Sequence, residues 1–173
     1  MQACRYMGNT LRDIRSYIQD PQLRKGMLHC DVFWYVLIYM SVVVSDCRCR
    51  DNVIFDDSDH VVGLIDFEEV CYGELLLDVA ITIHGCCYNS DNSLNEDYVK
   101  TFLTTYNEEY PFTPLERSTL KYFMIYSGIC LAFWRFRQFN VIIPGHESSN
   151  SYKELWDRCE ILTQEPFDFF QYS

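Results

Sequence analysis

From residue 75 onward the apolar residues recur at helical spacing, and this confines the second half of the chain to packed helices. Within 75–87, Leu76, Val79, Ala80, Ile83 and Cys87 share one face, the stripe that seats a helix on a core. Within 95–106, Tyr98, Phe102, Leu103 and Tyr106 repeat the pattern until Pro111 breaks it. Thr113-Pro114 followed by Glu116 opens a third helix, with a threonine cap and a proline at the first helical position; its pattern runs to about residue 139. Ser149 or Asn150 caps a last helix through residue 162, with Leu155, Cys159 and Leu162 inward, before the aromatic tail Phe167, Phe169, Phe170 and Tyr172.

The first half is shorter-grained. Residues 9–19 carry Leu11, Ile14, Tyr17 and Ile18 at helical spacing, and Asp20-Pro21 ends the pattern because the residue before proline avoids the α region. Val53-Ile54-Phe55 and the apolar run 61–67 flank a turn-rich cluster, Asp56-Asp57-Ser58-Asp59-His60, which predicts a β-hairpin. The expected class is α+β and mostly helical, with one small hairpin. At 173 residues the chain sits near one domain of about 150.

Charge and composition narrow the function classes. The net charge of −11 disfavours nucleic acid and anionic membrane as partners. Hydrophobic residues at 49% and aromatic ones at 16% suffice to offset the entropy of ordering. The longest apolar stretch, 32–44, is short of the ~20 residues that span a bilayer. No secretory leader pattern opens the chain, and the nine cysteines scatter without the look of a disulfide framework, so a cytoplasmic setting is expected, with several cysteines serving as small buried apolar groups. Cys47-x-Cys49 and Cys86-Cys87 lack the two separated ligand pairs that tetrahedral zinc takes.

Three polar groups stand at the ends of strand-like segments: His29-Cys30-Asp31, Asp51-Asn52 and Ile65-Asp66-Phe67-Glu68. Singly they read as a turn aspartate, a loop amide and a strand-end cap. Together they supply what phosphoryl transfer from a magnesium nucleotide requires: one carboxylate to orient or deprotonate a hydroxyl, and a carboxylate with an amide oxygen to hold a hard cation. His84 reads as a packed or surface histidine, and His60 and His146 as solvated turn residues.

The runs Gly26-Met27-Leu28-His29-Cys30-Asp31-Val32-Phe33, Asp51-Asn52-Val53-Ile54-Phe55, Gly63-Leu64-Ile65-Asp66-Phe67-Glu68 and Leu77-Asp78-Val79-Ala80 resemble the aminoglycoside phosphotransferase and choline kinase superfamily, with the homoserine kinases nearest. The resemblance implies the mostly helical C-terminal lobe of a protein-kinase-like fold, with the hairpin at the catalytic site and the N-terminal nucleotide-binding lobe missing from 1–173. It implies ATP and Mg2+ as cofactors, Asp31 as catalytic base, His29 supporting the catalytic loop, Asn52 and Asp66 as metal and nucleotide ligands, and Asp78 bracing the loop from its helix. The expected substrate is a small amino acid or amino alcohol bearing a hydroxyl, homoserine first. Hydroxylysine and choline or ethanolamine are alternatives, as is a non-catalytic remnant or binding module lacking the nucleotide lobe, and 1–173 alone is expected to be inactive. Arg135 and Arg137 are candidates for a substrate carboxylate, guanidinium pairing with it bidentately; a solvated helix face is the plainer reading of the same pair. Oligomeric state is not readable.

Two features depart from the family. The dispersed glycines make no phosphate loop. Asn52 stands 21 positions beyond Asp31, where the family has five, so 34–50 reads as an insertion in the catalytic loop, genuine or a gene-model artefact. Loop entropy permits it: the lengthening costs only about 1.3 kcal/mol.

Overall fold

A computed structural model describes residues 2–30, 52–55, 61–164 and 167–172. The insertion 34–50 and the hairpin turn with His60 lie outside them, as does Asp31. The elements run α1 (Gln2–Ile18), β1 (Lys25–Leu28), β2 (Val53–Phe55), β3 (Val61–Leu64), β4 (Cys71–Glu74), α2 (Leu76–Cys86), α3 (Glu96–Glu109), α4 (Pro114–Phe136) and α5 (Tyr152–Gln164). Short 3-10 turns at Phe67–Glu69, Glu147–Asn150 and Phe169–Tyr172 and a π segment at Arg137–Ile142 complete the described backbone. The mostly helical α+β reading holds.

The core gathers around α4, against which α1, α2 and α5 pack. Most of α2 is buried, including Leu76, Val79, Ala80, Ile81, Ile83 and Cys86, so it is a central helix rather than an amphipathic cover. Gly128 of α4 permits the closest approach: a Cβ there would meet Cys159 Sγ at 2.5 Å and His84 Nε2 at 3.1 Å. His84 is packed, its Nε2 2.8 Å from the Met124 carbonyl oxygen, and burial lowers its pKa to about 3, so it is a neutral structural donor. Arg158 of α5 closes the same corner by donating to the His84 carbonyl at 2.7 Å and lying over the Tyr88 ring at 3.6 Å.

The helix starts follow local chemistry. Thr113 and Glu116 form a reciprocal capping box with Pro114 in the first turn, which satisfies amides that the helix itself leaves unpaired. Asn95 caps α3 by accepting from the Tyr98 amide. Three bounds differ from the sequence pattern. α1 begins at Gln2, seven residues earlier, because Met7 extends the stripe of Leu11, Ile14 and Ile18 against the core. α4 is α-helical only to Phe136 and then widens into the π segment, where Asn140 donates to the Ser149 carbonyl at 2.8 Å. Ser149 and Asn150 lie inside a 3-10 turn, and α5 starts at Tyr152.

Two antiparallel pairs occupy the other end. The expected hairpin joins β2 to β3, with Val53 opposite Leu64 and an irregularity between Ile54 and Phe55. The second pair, β1 with β4, sets Lys25 opposite Glu74 and Leu28 opposite Cys71. Leu75 N donates to the Arg24 carbonyl at 3.0 Å, carrying that ladder to the start of α2.

Arg24 binds this end to the helices. Its Nε donates to Glu116 Oε1 at 2.7 Å, one Nη pairs with Glu116 Oε2 and reaches the Pro111 carbonyl at 2.9 Å, and its guanidinium lies 4.1 Å from the Tyr110 ring centre. Glu116 is 2% exposed. Burial pushes its carboxyl up, but hydrogen bonds from Arg24 and Thr113 outweigh burial and hold it below its usual 4.5. A depressed carboxyl contributes stability above its unfolded-state pKa and loses it as pH falls through the native value. Arg24 keeps 29% of its side chain exposed, so water can solvate it once its partner is gone, and Glu116→Ala should lower the urea-unfolding free energy at pH 7 by about 1.5–3 kcal/mol, the worth of hydrogen bonds to a charged group. Glu116→Gln should flatten the fall in stability below pH 4.5; an unchanged acid limb would show that this carboxyl is not ionised in the pair.

Candidate functional site

The site is built on the carboxylate of Asp78, in the first turn of α2, where a negative charge also meets the positive end of the helix dipole. Oδ2 accepts the His29 amide at 2.8 Å and Oδ1 accepts the Cys30 amide at 2.9 Å. Both oxygens therefore hold consecutive peptide groups at the end of β1, and each charge-assisted bond contributes about 1.5–3 kcal/mol. The bonds have work to do, because Cys30 sits at φ 64°, a left-handed conformation that costs a side-chain-bearing residue about 1–2 kcal/mol. The next residue is Asp31, outside the described residues.

The His29 ring turns inward, 7% exposed. Its Nε2 lies 3.1 Å from the Ile65 carbonyl oxygen, a partner that can only accept, so Nε2 carries the proton. The ring also packs on Phe67, centres 4.9 Å apart. The buried Nδ1 has no hydrogen-bond partner among the described residues. Ile65 is thus gripped twice: its carbonyl by His29, and its amide, which donates to the Asn52 carbonyl at 3.1 Å and extends the β2–β3 ladder by one rung.

Asp66 follows at φ 64°, ψ 59°, so the chain leaves β3 through a left-handed residue that ends the strand and starts the 3-10 turn Phe67–Glu69. Its side chain makes no capping bond to that turn and is exposed. The peptide of Ile65 therefore draws three segments together: the one leading into Asp31, the one carrying Asn52, and Asp66 itself. Asn52 and Asp66 offer an amide oxygen and a carboxylate, the hard donors that magnesium takes. Among the described residues no three His, Cys, Asp or Glu side chains gather into a metal cluster.

The two arginines sit at the end of α4 and the start of the π segment. Arg135 bridges α4 to α5, its Nη1 3.1 Å from both the Ser151 carbonyl and Glu154 Oε2. Arg137 is exposed where the α-helix gives way to the π segment. Residues two apart on a regular helix point to different sides, and Arg137 begins the π segment.

Sequence reasoning missed Cys71. It is exposed on β4, yet its Sγ lies 3.5 Å from Cys30 Sγ. Burial, the hydrogen bond with Cys71 and the Asp78 charge push the Cys30 thiol up to about 12. Nothing local signals the contact: it needs the β1–β4 register, which pairs residues more than forty positions apart.

Sequence comparisons with known proteins cover this stretch of the chain. The model of the phosphotransferase enzyme family matches residues 48–112, the stretch holding Asn52, Asp66 and Asp78. A homoserine kinase of Pseudomonas aeruginosa is 35% identical over 116 residues, covering 67% of this chain and 31% of that protein. One of Methylobacillus flagellatus is 34% identical over 97 residues, 56% of this chain and 25% of the relative, and one of Rhodopseudomonas palustris is 27% identical over 128 residues, 74% and 33%. The matched stretch spans about a third or less of each relative's length. By the family match and these relatives, the chain belongs to the phosphotransferase enzyme family and its matched stretch is similar to homoserine kinases.

Proposed function

We propose that the chain is the catalytic-loop lobe of a cytoplasmic, ATP- and Mg2+-dependent small-molecule kinase that phosphorylates the hydroxyl of a small amino acid, homoserine first. The observation that carries this reading is the double grip on the Ile65 peptide, by His29 from one side and Asn52 from the other, in a chain whose relatives are homoserine kinases. No helix among the described residues is long and apolar enough to cross a membrane.

In this reading Asp31 accepts the proton of the substrate hydroxyl as that oxygen attacks the terminal phosphorus. Asp78 fixes the two peptides before Asp31, and His29 holds the loop to the strand end that presents Asp66. Asn52 and Asp66 would hold the metal, which supplies charge neutralisation at the transferring phosphoryl group. Met27 and Tyr72, opposite one another in the β1–β4 ladder, are strongly exposed, as are Ile65 and Phe67 beside Asp66, and we take these apolar side chains as one rim. A rim of that kind suits a further lobe packed over the nucleotide.

A second reading, a lobe that binds without turnover, draws on the short share of each relative that is matched. Thermal unfolding with and without Mg-ATP separates the two from no binding at all. The kinase reading expects a reproducible rise in midpoint that Asp66→Ala abolishes, and, once the lobe that covers the nucleotide is joined to it, release of ADP on addition of homoserine but not of choline. Nucleotide stabilisation without ADP release would support the binding lobe, and no stabilisation would remove the nucleotide site from this chain.

ADP release also reports on the base. Asp31→Asn should lower the rate by about 100-fold or more, the span general-base catalysis supplies, with nucleotide stabilisation kept. An unchanged rate would take Asp31 out of the chemistry.

A further inference from the structure

We propose that Cys30 and Cys71 form a reversible disulfide, made by exchange with a small organic disulfide, that ties the residue before Asp31 to strand β4. The two sulfurs stand 3.5 Å apart, and a disulfide bond is about 2.05 Å long, so closing the gap takes a sulfur displacement of about 1.5 Å. Both backbones are held: Cys30 by its amide on Asp78, and Cys71 by the ladder in which it faces Leu28. Of the other described thiols, Cys86, Cys87 and Cys159 are buried, whereas Cys130 is exposed and is the competitor that peptide mapping has to separate.

Access sets the order of events. Cys71 is exposed and Cys30 only partly so, so the Cys71 thiolate attacks one sulfur of the small disulfide and expels the first thiolate, which takes up a proton. Cys30, whose thiol is pushed up to about 12, gives its proton to solvent only rarely, so its attack on Cys71 Sγ, which expels the second thiolate, is the slow step. Two protein thiols are oxidised, one small disulfide is reduced to two thiols, and the two protons leave with them. In a reducing compartment such a bond is transient and responsive rather than structural. Its chemistry stands independently of the kinase reading; only the effect on Asp31 rests on it.

Equilibrating the whole chain in oxidised and reduced glutathione, trapping free thiols by alkylation and mapping the peptides tests this directly. The expected result is a peptide containing Cys30 joined to one containing Cys71, with the loss of two alkylatable thiols and their full return on adding dithiothreitol. Cys71→Ser should abolish the linked peptide, whereas Cys30→Ser should trap glutathione on Cys71. Glutathione left on Cys71 in the unaltered chain, a different cysteine joined to Cys71, or full alkylation of both would each overturn the proposal.

Discussion

One carboxylate with two occupied oxygens sets the geometry of the whole polar end of the molecule. Asp78 projects from a buried helix and takes the amides of His29 and Cys30, which orients the end of β1 against α2. From that point His29 turns its ring onto the Ile65 carbonyl, and Ile65 in turn fixes Asn52. Each link is an ordinary hydrogen bond, yet the series runs from the helical core to both ends of the segment 31–51. The left-handed backbone of Cys30 persists because both of the peptides before Asp31 are tied at their amides, as strained positions require.

This arrangement bears on the long spacing between Asp31 and Asn52. The residue before the segment is anchored by Asp78, and the residue after it by Ile65. The two anchors do not depend on how many residues lie between them, and the entropy of lengthening grows only logarithmically. A lobe anchored this way has a physical basis for tolerating added chain at that point while keeping the strand end that carries Asp66.

Legibility in the sequence follows the range of the interaction. The capping box of Thr113 and Glu116, the stripe of α2 and the β2–β3 hairpin are local, fixed by residues a few positions apart, and the pattern of residue types suffices to find them. β1 and β4 are only four residues each, carry no alternation, and exist because they meet across more than forty positions. The same distance hides the Cys30–Cys71 contact and the Arg24–Glu116 pair, in which a cap residue doubles as the partner of an arginine from another element. Of the site, the residue types were readable: an aspartate, an amide and a histidine at strand ends. The grip on the Ile65 peptide was not, because a backbone carbonyl carries no mark in the sequence.

The role given to Asp78 is tested most directly by residue-resolved amide hydrogen exchange in the native chain and in Asp78→Asn, whose side chain keeps one acceptor oxygen and loses the charge. Weakening a charge-assisted bond by about 1.5–3 kcal/mol predicts exchange roughly 10- to 100-fold faster at His29 or Cys30, spreading to Ile65, with the amides of α4 and α5 unchanged. Equal protection of His29 and Cys30 in both proteins would contradict the account, since the polar end would then be held by something other than this carboxylate.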